Sequence, residues 1–263
     1  MTPQCPAPFI CPVCRQKLRR ADRVYRCPAG HHFDIARQGY VNLLLGKRPK
    51  IQGDSRQMLL ARERFLQTGH YQPLAMALVS ALQDHTNTDA PLAVLDAGCG
   101  SGYYLRQMQQ GFPGPLCLAG VDLSKEAARL TARLTPDTDV AVADLKQLLP
   151  IADGSIDAVL NIFAPRQPDA FARVLRPGGL LISVIPGPAH LQTVRKRFRL
   201  LDIEAGKRAS VQAQMAPHFQ LLVEKRLQCE LTLTADALAD LVEMTPNAHH
   251  LTDAGRTALN AAA

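Results

Sequence analysis

Cys11, Cys14, Cys27 and His31 have the residue types and spacing of a metal site. Cys11-Pro-Val-Cys14 and, after twelve intervening residues, Cys27-Pro-Ala-Gly-His31 form two tight corners. Each corner offers two soft or borderline ligands, and four of these suit tetrahedral zinc. Spacing alone leaves His32 as an alternative to His31. A closed four-ligand set leaves no position for water, so the ion is expected to be structural. In a segment this poor in apolar residues the metal would supply much of the folding energy. Cys5 lies outside both corners, and Cys99, Cys117 and Cys229 are expected to be ordinary buried thiols.

A second chemistry-bearing pattern is Leu95-Asp96-Ala97-Gly98-Cys99-Gly100-Ser101-Gly102, between an apolar run and an amphipathic stretch. Glycines there permit positive φ and remove the Cβ atoms that would hold a ligand off the backbone. A dinucleotide fingerprint needs G-x-G-x-x-G, but the third glycine position is taken by Tyr103. Asp96, ending the strand, puts a carboxylate where it can organise the loop and meet a cationic, methionine-like group. This favours a sulfonium cofactor, S-adenosylmethionine, over NAD. Asp122 ends the next apolar run about 20 residues on, in position to accept the hydroxyls of an adenosine ribose. Asp144, after Val142-Ala143, is either a turn former or an acceptor for the adenine amine.

The elements that must hold these residues are legible as apolar runs alternating with amphipathic stretches, the pattern of a parallel α/β sheet. Strands are expected at Leu92–Leu95, Leu116–Val121, Val140–Ala143, Ile156–Phe163 and Leu180–Ile185. Gly102–Gln110 reads as a helix, and Ser124 as the N-cap of another running to Leu134. Pro177-Gly178-Gly179 is expected to end the helix before the fifth strand. Upstream, one helix is expected from Ser55 through Leu66, ending at Gly69, and a second from Pro73 to Leu82. Phe219–Val223 and Leu227–Leu233 read as an antiparallel strand pair, followed by a helix from Asp236.

The 263 residues suffice for one large domain and an appendage, and the 47% hydrophobic content fits a globular protein. The N-terminus is not a secretory signal and no run is long enough to span a membrane, so a cytoplasmic location with no membrane partner is expected. The formal net charge is +7, which raises the local concentration of polyanions and also favours solubility. Basic residues gather at 15–26 (Arg15, Lys17, Arg19, Arg20, Arg23, Arg26), at 47–50 (Lys47, Arg48, Lys50) and at 195–199 (Arg195, Lys196, Arg197, Arg199).

Further blocks surround these motifs: His32-Phe33-Asp34, Gln38–Leu44, Gly53-Asp54-Ser55, Ala61-Arg62, Phe65-Leu66, Gly69-His70-Tyr71, Pro186–Leu191 and Met244-Thr245-Pro246. To about residue 250 the succession resembles the bacterial 23S rRNA guanine-N1 methyltransferases, the group that includes macrolide-resistance enzymes. The resemblance implies zinc ligands at Cys11, Cys14, Cys27 and His31, and so favours His31 over His32. It also implies cofactor contacts at Tyr71, the Gly100-Ser101 pair and His190. The fold implied is α/β, a Rossmann-like class I methyltransferase sheet with an N-terminal zinc-binding module. Its segments are 1–40, a zinc-binding RNA-recognition module; 41–90, a helical connector contributing to the cofactor site; and 91–263, the S-adenosylmethionine-dependent domain. Two places depart from the family: Asn247-Ala248-His249-His250 follows the Met-Thr-Pro motif where an aromatic is common, and Arg166 stands where a small residue is commoner.

The activity implied is methyl transfer to N1 of a guanine in a 23S rRNA hairpin loop. N1 lies on the Watson–Crick edge, so the base must be unpaired or flipped out. Asn161 and the backbone of Phe163–Pro165 are candidates for holding the base edge, and Phe163 for stacking on it. The zinc module and the basic clusters would bind the RNA backbone, and a two-fold homodimer is expected to widen the cleft. The alternative is a small-molecule methyltransferase with one purely structural zinc ion; a zinc-ribbon RNA binder with a decayed cofactor site and an NAD oxidoreductase rank below it.

Overall fold

In the computed structural model, residues 5, 7–46, 53–198, 200, 202–204 and 206–245 are described. The basic residues at 47–50, Arg199, Pro246 and the Asn247–His250 block lie outside them. The chain divides into two compact units, Met1–Ser55 with Ala75–Val184, and Arg56–Leu74 with Ile185–Ala263.

In the first unit, each expected apolar run becomes a strand because both its faces are covered. The strands β5 (Leu92–Ala97), β6 (Leu116–Asp122), β7 (Asp139–Val142), β8 (Ile156–Ile162) and β9 (Leu175–Val184) are all parallel. Val94, Leu95, Val121, Ala158, Val159 and Leu160 are completely buried. With β4 (Tyr40–Asn42) at one edge, the sheet order is β4-β7-β6-β5-β8-β9. Strand order therefore reverses at β5, and the carboxyl ends of β5 and its neighbours flank the crevice where such folds bind ligands. Helices α3 (Tyr103–Gly111), α4 (Lys125–Leu134) and α5 (Pro168–Val174) connect the strands. Ser124 caps α4, its Oγ accepting from the Ala127 N–H.

The sixth strand, β4 (Tyr40–Asn42), was not legible as one. It pairs in parallel with β7, Tyr40 opposite Val140, and buries Tyr40 against Ala128, Ala132 and Val142. Before it, β1 (Arg19–Ala21), β2 (Val24–Arg26) and β3 (His32–Asp34) make a small antiparallel sheet. That ribbon is joined to the large sheet by specific bonds. The Tyr25 hydroxyl donates to the Asp139 carboxylate at 2.8 Å, Phe9 bridges Ile151, and the Ile10 N–H donates to the Pro150 carbonyl at 3.0 Å.

Two expectations are corrected. Pro177-Gly178-Gly179 does not end a helix: α5 stops at Val174, and the three residues form an irregularity inside β9, with Gly178 at φ +76°. Ile156 pairs with Leu175 but Ala158 pairs with Leu180, so the extra residues bulge out between these two pairs. Residues 219–233 form no strand pair. Leu221, Leu222, Val223 and Leu227 are all at least half exposed, so the alternation has no surface to bury and no ladder forms.

The second unit contains α1 (Arg56–Gln67), the start of α2 (Gln72–His85), α6 (Gln192–Phe198), α7 (Lys207–Met215) and α8 (Ala235–Glu243). Ala61 and Phe65 of α1 pack on Ala237, Leu241 and Met244, and Arg64 forks onto Asp240. Among the described residues no helix is long and apolar enough to cross a membrane.

Candidate functional site

The ligand atoms of Cys11, Cys14, Cys27 and His31 all lie within 4.8 Å of one another. Cys14 Sγ is 3.6 Å from Cys27 Sγ, and Cys27 Sγ is 3.4 Å from His31 Nδ1. A tetrahedron with bonds of about 2.3 Å has edges near this length, so the four residues fit one zinc ion. Both corners are shaped by backbone bonds: the Arg15 N–H returns to the Cys11 carbonyl at 2.8 Å, and the Gly30 N–H to Cys27 at 3.0 Å. Burial pushes the Cys27 thiol up, but hydrogen bonds from Cys14, His31 and the backbone outweigh this and bring it down to about 6. His32 is exposed on β3 and takes no part.

The other cysteines differ from expectation in two places. Cys99 is buried, but Cys229 is exposed, and Cys117 is joined to Cys5 by a disulfide across 112 residues. That bond ties the N-terminal segment to the start of β6.

In the glycine loop, Gly98, Gly100 and Gly102 have φ of +98°, +54° and +76°. A Cβ on Gly98 would sit 2.6 Å from the Ala164 Cβ, and one on Gly102 2.8 Å from Thr131. Asp122 braces the loop: one carboxylate oxygen accepts the Gly100 N–H at 2.9 Å and the other accepts the Ser124 N–H at 2.8 Å. Thr131, which the sequence did not single out, donates to the Gly100 carbonyl at 2.9 Å from inside α4. Gly53 and Asp54 lie on the α4 N-terminus, where the Ser124 hydroxyl donates to the Asp54 carbonyl.

Asp96 is almost fully buried, and its Oδ1 has no hydrogen-bond partner. Burial, then the charge of Asp122, pushes its carboxyl up to about 8. A buried carboxyl with an orphaned oxygen is one that a cationic ligand would satisfy, so the loop fits a sulfonium amino acid. Ser101 Oγ is likewise buried without a partner. Asp144 accepts from the Lys146 N–H at 2.9 Å and from Gln147 at 3.2 Å, bonds that shape a turn and leave acceptor lone pairs on both oxygens.

At the end of β8, Asn161 is fully buried and its amide nitrogen donates to the Ala97 carbonyl at 3.3 Å and the Pro165 carbonyl at 3.0 Å. The amide nitrogen thus braces the segment that follows, while the buried Oδ1 has no hydrogen-bond partner. That segment begins with Phe163, 45% exposed and held at φ +53°, its N–H bonded to Val184 at 3.1 Å. A left-handed bulky residue costs of order 1–3 kcal/mol and persists where the surroundings over-determine it. Asn161 and the Ala164–Gly98 contact do so here.

In the second unit, the Tyr71 hydroxyl lies 3.5 Å from His190 Nε2. Burial pushes the Tyr71 hydroxyl up to about 12, and burial followed by the Arg195 charge pushes His190 down. Arg195 was grouped with RNA-binding cations, but it is buried. It donates through Nε to the His190 carbonyl at 2.9 Å and through Nη2 to the Pro188 carbonyl at 2.7 Å, and pairs with Asp202 at 2.9 Å. It clamps the loop that carries His190.

Residues 9–48 match the family described as RlmA, N-terminal, and residues 94–179 match the methyltransferase domain. The chain is 41% identical, over 91% of its length and 85% of the relative's, to a Streptomyces fradiae protein named 23S rRNA (guanine(748)-N(1))-methyltransferase. It is also 41% identical to a Micromonospora griseorubida protein provisionally named a 23S rRNA (guanine-N(1)-)-methyltransferase, over 96% of this chain and 90% of that one. Among solved structures, a chain from the complex of the Haloferax volcanii Trm112 methyltransferase activator with a methyltransferase aligns at TM-score 0.53. The alignment has 18% identity and covers 74% of this chain and 93% of that one, which bears on the fold.

Proposed function

Since the chain belongs to the RlmA family of 23S rRNA (guanine-N1)-methyltransferases, we propose that it transfers a methyl group from S-adenosylmethionine to N1 of a guanine in a hairpin loop of 23S rRNA. Within the fold, one observation carries the reading: Ala164 touches Gly98, which sets the strained, exposed Phe163 beside the glycine loop. An aromatic face next to a cofactor loop is what a flipped-out base needs.

The bound S-adenosylmethionine supplies an electrophilic methyl group on its sulfonium. Asp96, Gly98, Gly100 and Ser101 hold the methionine end, with Asp96 as carboxylate to the ammonium. Asp122 accepts the ribose hydroxyls with lone pairs left over from Gly100 and Ser124, and Asp144 receives the adenine amine. The family resemblance adds Tyr71 and His190 as cofactor contacts; burial and then the Arg195 charge disfavour the protonated His190 ring, and Arg195 holds its backbone in place. Phe163 stacks on the guanine, and Asn161 keeps that segment still. N1 would attack the methyl as the methyl–sulfur bond breaks, so that S-adenosylhomocysteine leaves and the N1 proton passes to water; the rate would come from positioning and from fit to the transition state.

Cys11, Cys14, Cys27 and His31 hold one zinc ion that orders the ribbon, whose basic residues meet the RNA backbone. The enzyme works on ribosomal RNA in the cytoplasm. Two copies pair to widen the RNA cleft, and the exposed leucines of 221–227 offer apolar surface for this.

The test is transfer of labelled methyl from the donor to purified 23S rRNA, with the digested nucleosides separated. Label in 1-methylguanosine supports the reading. Label in another nucleoside overturns the N1 assignment, and donor binding without any RNA labelling supports the small-molecule alternative.

A further inference from the structure

A cavity of about 310 Å³ opens between the first zinc corner and the loop that leads into β8. This is at the lower end of the roughly 300–1,000 Å³ typical of ligand pockets. Ile10 and Leu148 form apolar wall, and Arg15, Lys17, Arg173 and Asp153 line the rest.

The walls are fixed on both sides. The Ala152 N–H donates to the Pro8 carbonyl at 2.8 Å, and Ile10 bridges Lys17. Arg173 donates to the carbonyls of Ile151 at 2.8 Å and Leu149 at 2.6 Å, and pairs with Asp153. Its charge is therefore balanced and its guanidinium holds the loop. Arg15 and Lys17 are exposed, and neither makes an ion pair among the described residues. Arg15 sits at φ +62° directly after Cys14, so the zinc corner fixes its backbone. The cavity thus has two uncompensated cations beside an apolar wall.

Its location separates it from the methyl-transfer end. The glycine loop lies at the carboxyl ends of the parallel strands, whereas Ala152 and Asp153 precede the first residue of β8, Ile156. Seven strand residues at about 3.3 Å each put roughly 20 Å between the two ends.

We propose that this cavity is an anchoring subsite for a backbone nucleotide of the RNA substrate, distant from the methylated base. Arg15 and Lys17 take the phosphate, and Ile10 and Leu148 cover the attached nucleoside. The proposal rests on the 23S rRNA reading above and narrows its ribbon contact to one built site and one bound nucleotide.

The test uses the full-length, zinc-loaded protein with 23S rRNA as substrate. For the double variant Arg15→Ala/Lys17→Ala, KM for RNA is expected to rise about tenfold or more, with the loss falling on KM rather than kcat. The slope of log affinity against log salt is expected to shrink by about one to two, since each phosphate contact contributes close to one. Ala152→Phe, which fills the cavity away from the zinc ligands, should raise KM for RNA and leave the salt slope near wild type. Zinc content is measured in every variant, and Ala152→Phe decides the matter if the double variant loses metal. Unchanged KM and salt slope in zinc-loaded variants of an RNA-binding wild type overturn the subsite alone. A wild type that binds no ribosomal RNA overturns the 23S rRNA reading, and the subsite with it. Competition by a free mononucleotide at the variants' expense, with RNA binding unaltered, overturns the RNA assignment and gives the cavity to a small anion.

Discussion

The ribbon of residues 7–36 and the sheet that carries the glycine loop reach order by different means. In the sheet, β5 and β8 are buried along nearly their whole length, and burial fixes their register. In the ribbon, β1 is exposed at every residue, and no strand exceeds three residues. Four ligand atoms at its centre and a few docking contacts supplement a small buried set, Phe9, Ile10, Leu18, Tyr25 and Ile35. A site built on apolar burial can hold unfavourable features, such as the orphaned carboxyl of Asp96 and the left-handed Phe163. A site built on a metal cannot lose its metal. The two should therefore fail separately.

The largest effect is expected from Cys27→Ser. Structural zinc is worth roughly 10–16 kcal/mol in isolated modules, more than the ribbon's few apolar contacts can replace. Bound zinc should fall from one per chain to near zero and rRNA methylation by on the order of 100-fold. Donor affinity measured by calorimetry should stay near wild type; a matching collapse of donor binding would erase the distinction between the regions.

Gly98→Ala is the reciprocal experiment. Its Cβ would meet Ala164 at 2.6 Å in a left-handed backbone, a strain of order 1–3 kcal/mol. Donor affinity should drop roughly 10- to 100-fold with zinc content unchanged. Adding Ala164→Gly should recover part of the loss, because it removes the clash and leaves the backbone cost.

Asp96 gives a subtler readout. With its carboxyl pushed up to about 8 by burial and by Asp122, it is mostly protonated at pH 7. An ammonium beside it stabilises the carboxylate and draws that value down, so donor binding at pH 7 should release a proton and strengthen as pH rises from 6 to 8. Calorimetry in buffers of different ionisation enthalpy measures the release, and Asp96→Asn should abolish it. The stability sign is opposite. A carboxyl raised from 3.8 to about 8 contributes its stability fully below pH 4 and loses it as pH rises through 8, so Asp96→Asn should gain stability over wild type above pH 8.

The smallest effect is expected where the regions are joined. Tyr25→Phe removes the hydroxyl that donates to the half-buried Asp139. A lost hydrogen bond of this kind costs about 0.5–1.5 kcal/mol, so thermal unfolding should shift down by a few degrees, with zinc content and donor affinity preserved.

Both sites were legible in the sequence to the extent that their residues are neighbours along the chain. The two Cys corners and the Asp96–Gly102 loop each fit within a few residues, and their chemistry is encoded in spacing. Strand positions were legible because parallel strands read as apolar runs. What escaped depended on distant partners. Tyr40–Asn42 is a strand only because β7 lies beside it. Arg195 sits in a run of cations and is buried only because the Pro188 and His190 carbonyls face it. Thr131 reaches Gly100 across 31 residues, and Cys5 reaches Cys117 across 112. Residues 219–233 failed in the other direction, since alternation specifies a strand only where a surface waits to cover one face.

The central claim is that these two regions together methylate a guanine on its Watson–Crick edge, and primer extension by reverse transcriptase tests it most directly. An N1-methyl blocks base pairing. Treatment of 23S rRNA with enzyme and S-adenosylmethionine should therefore create one new stop, next to a guanine in a hairpin loop, absent without the donor and absent with Cys27→Ser. Methyl incorporation into the RNA with no new stop would place the methyl elsewhere on the nucleotide and contradict the account.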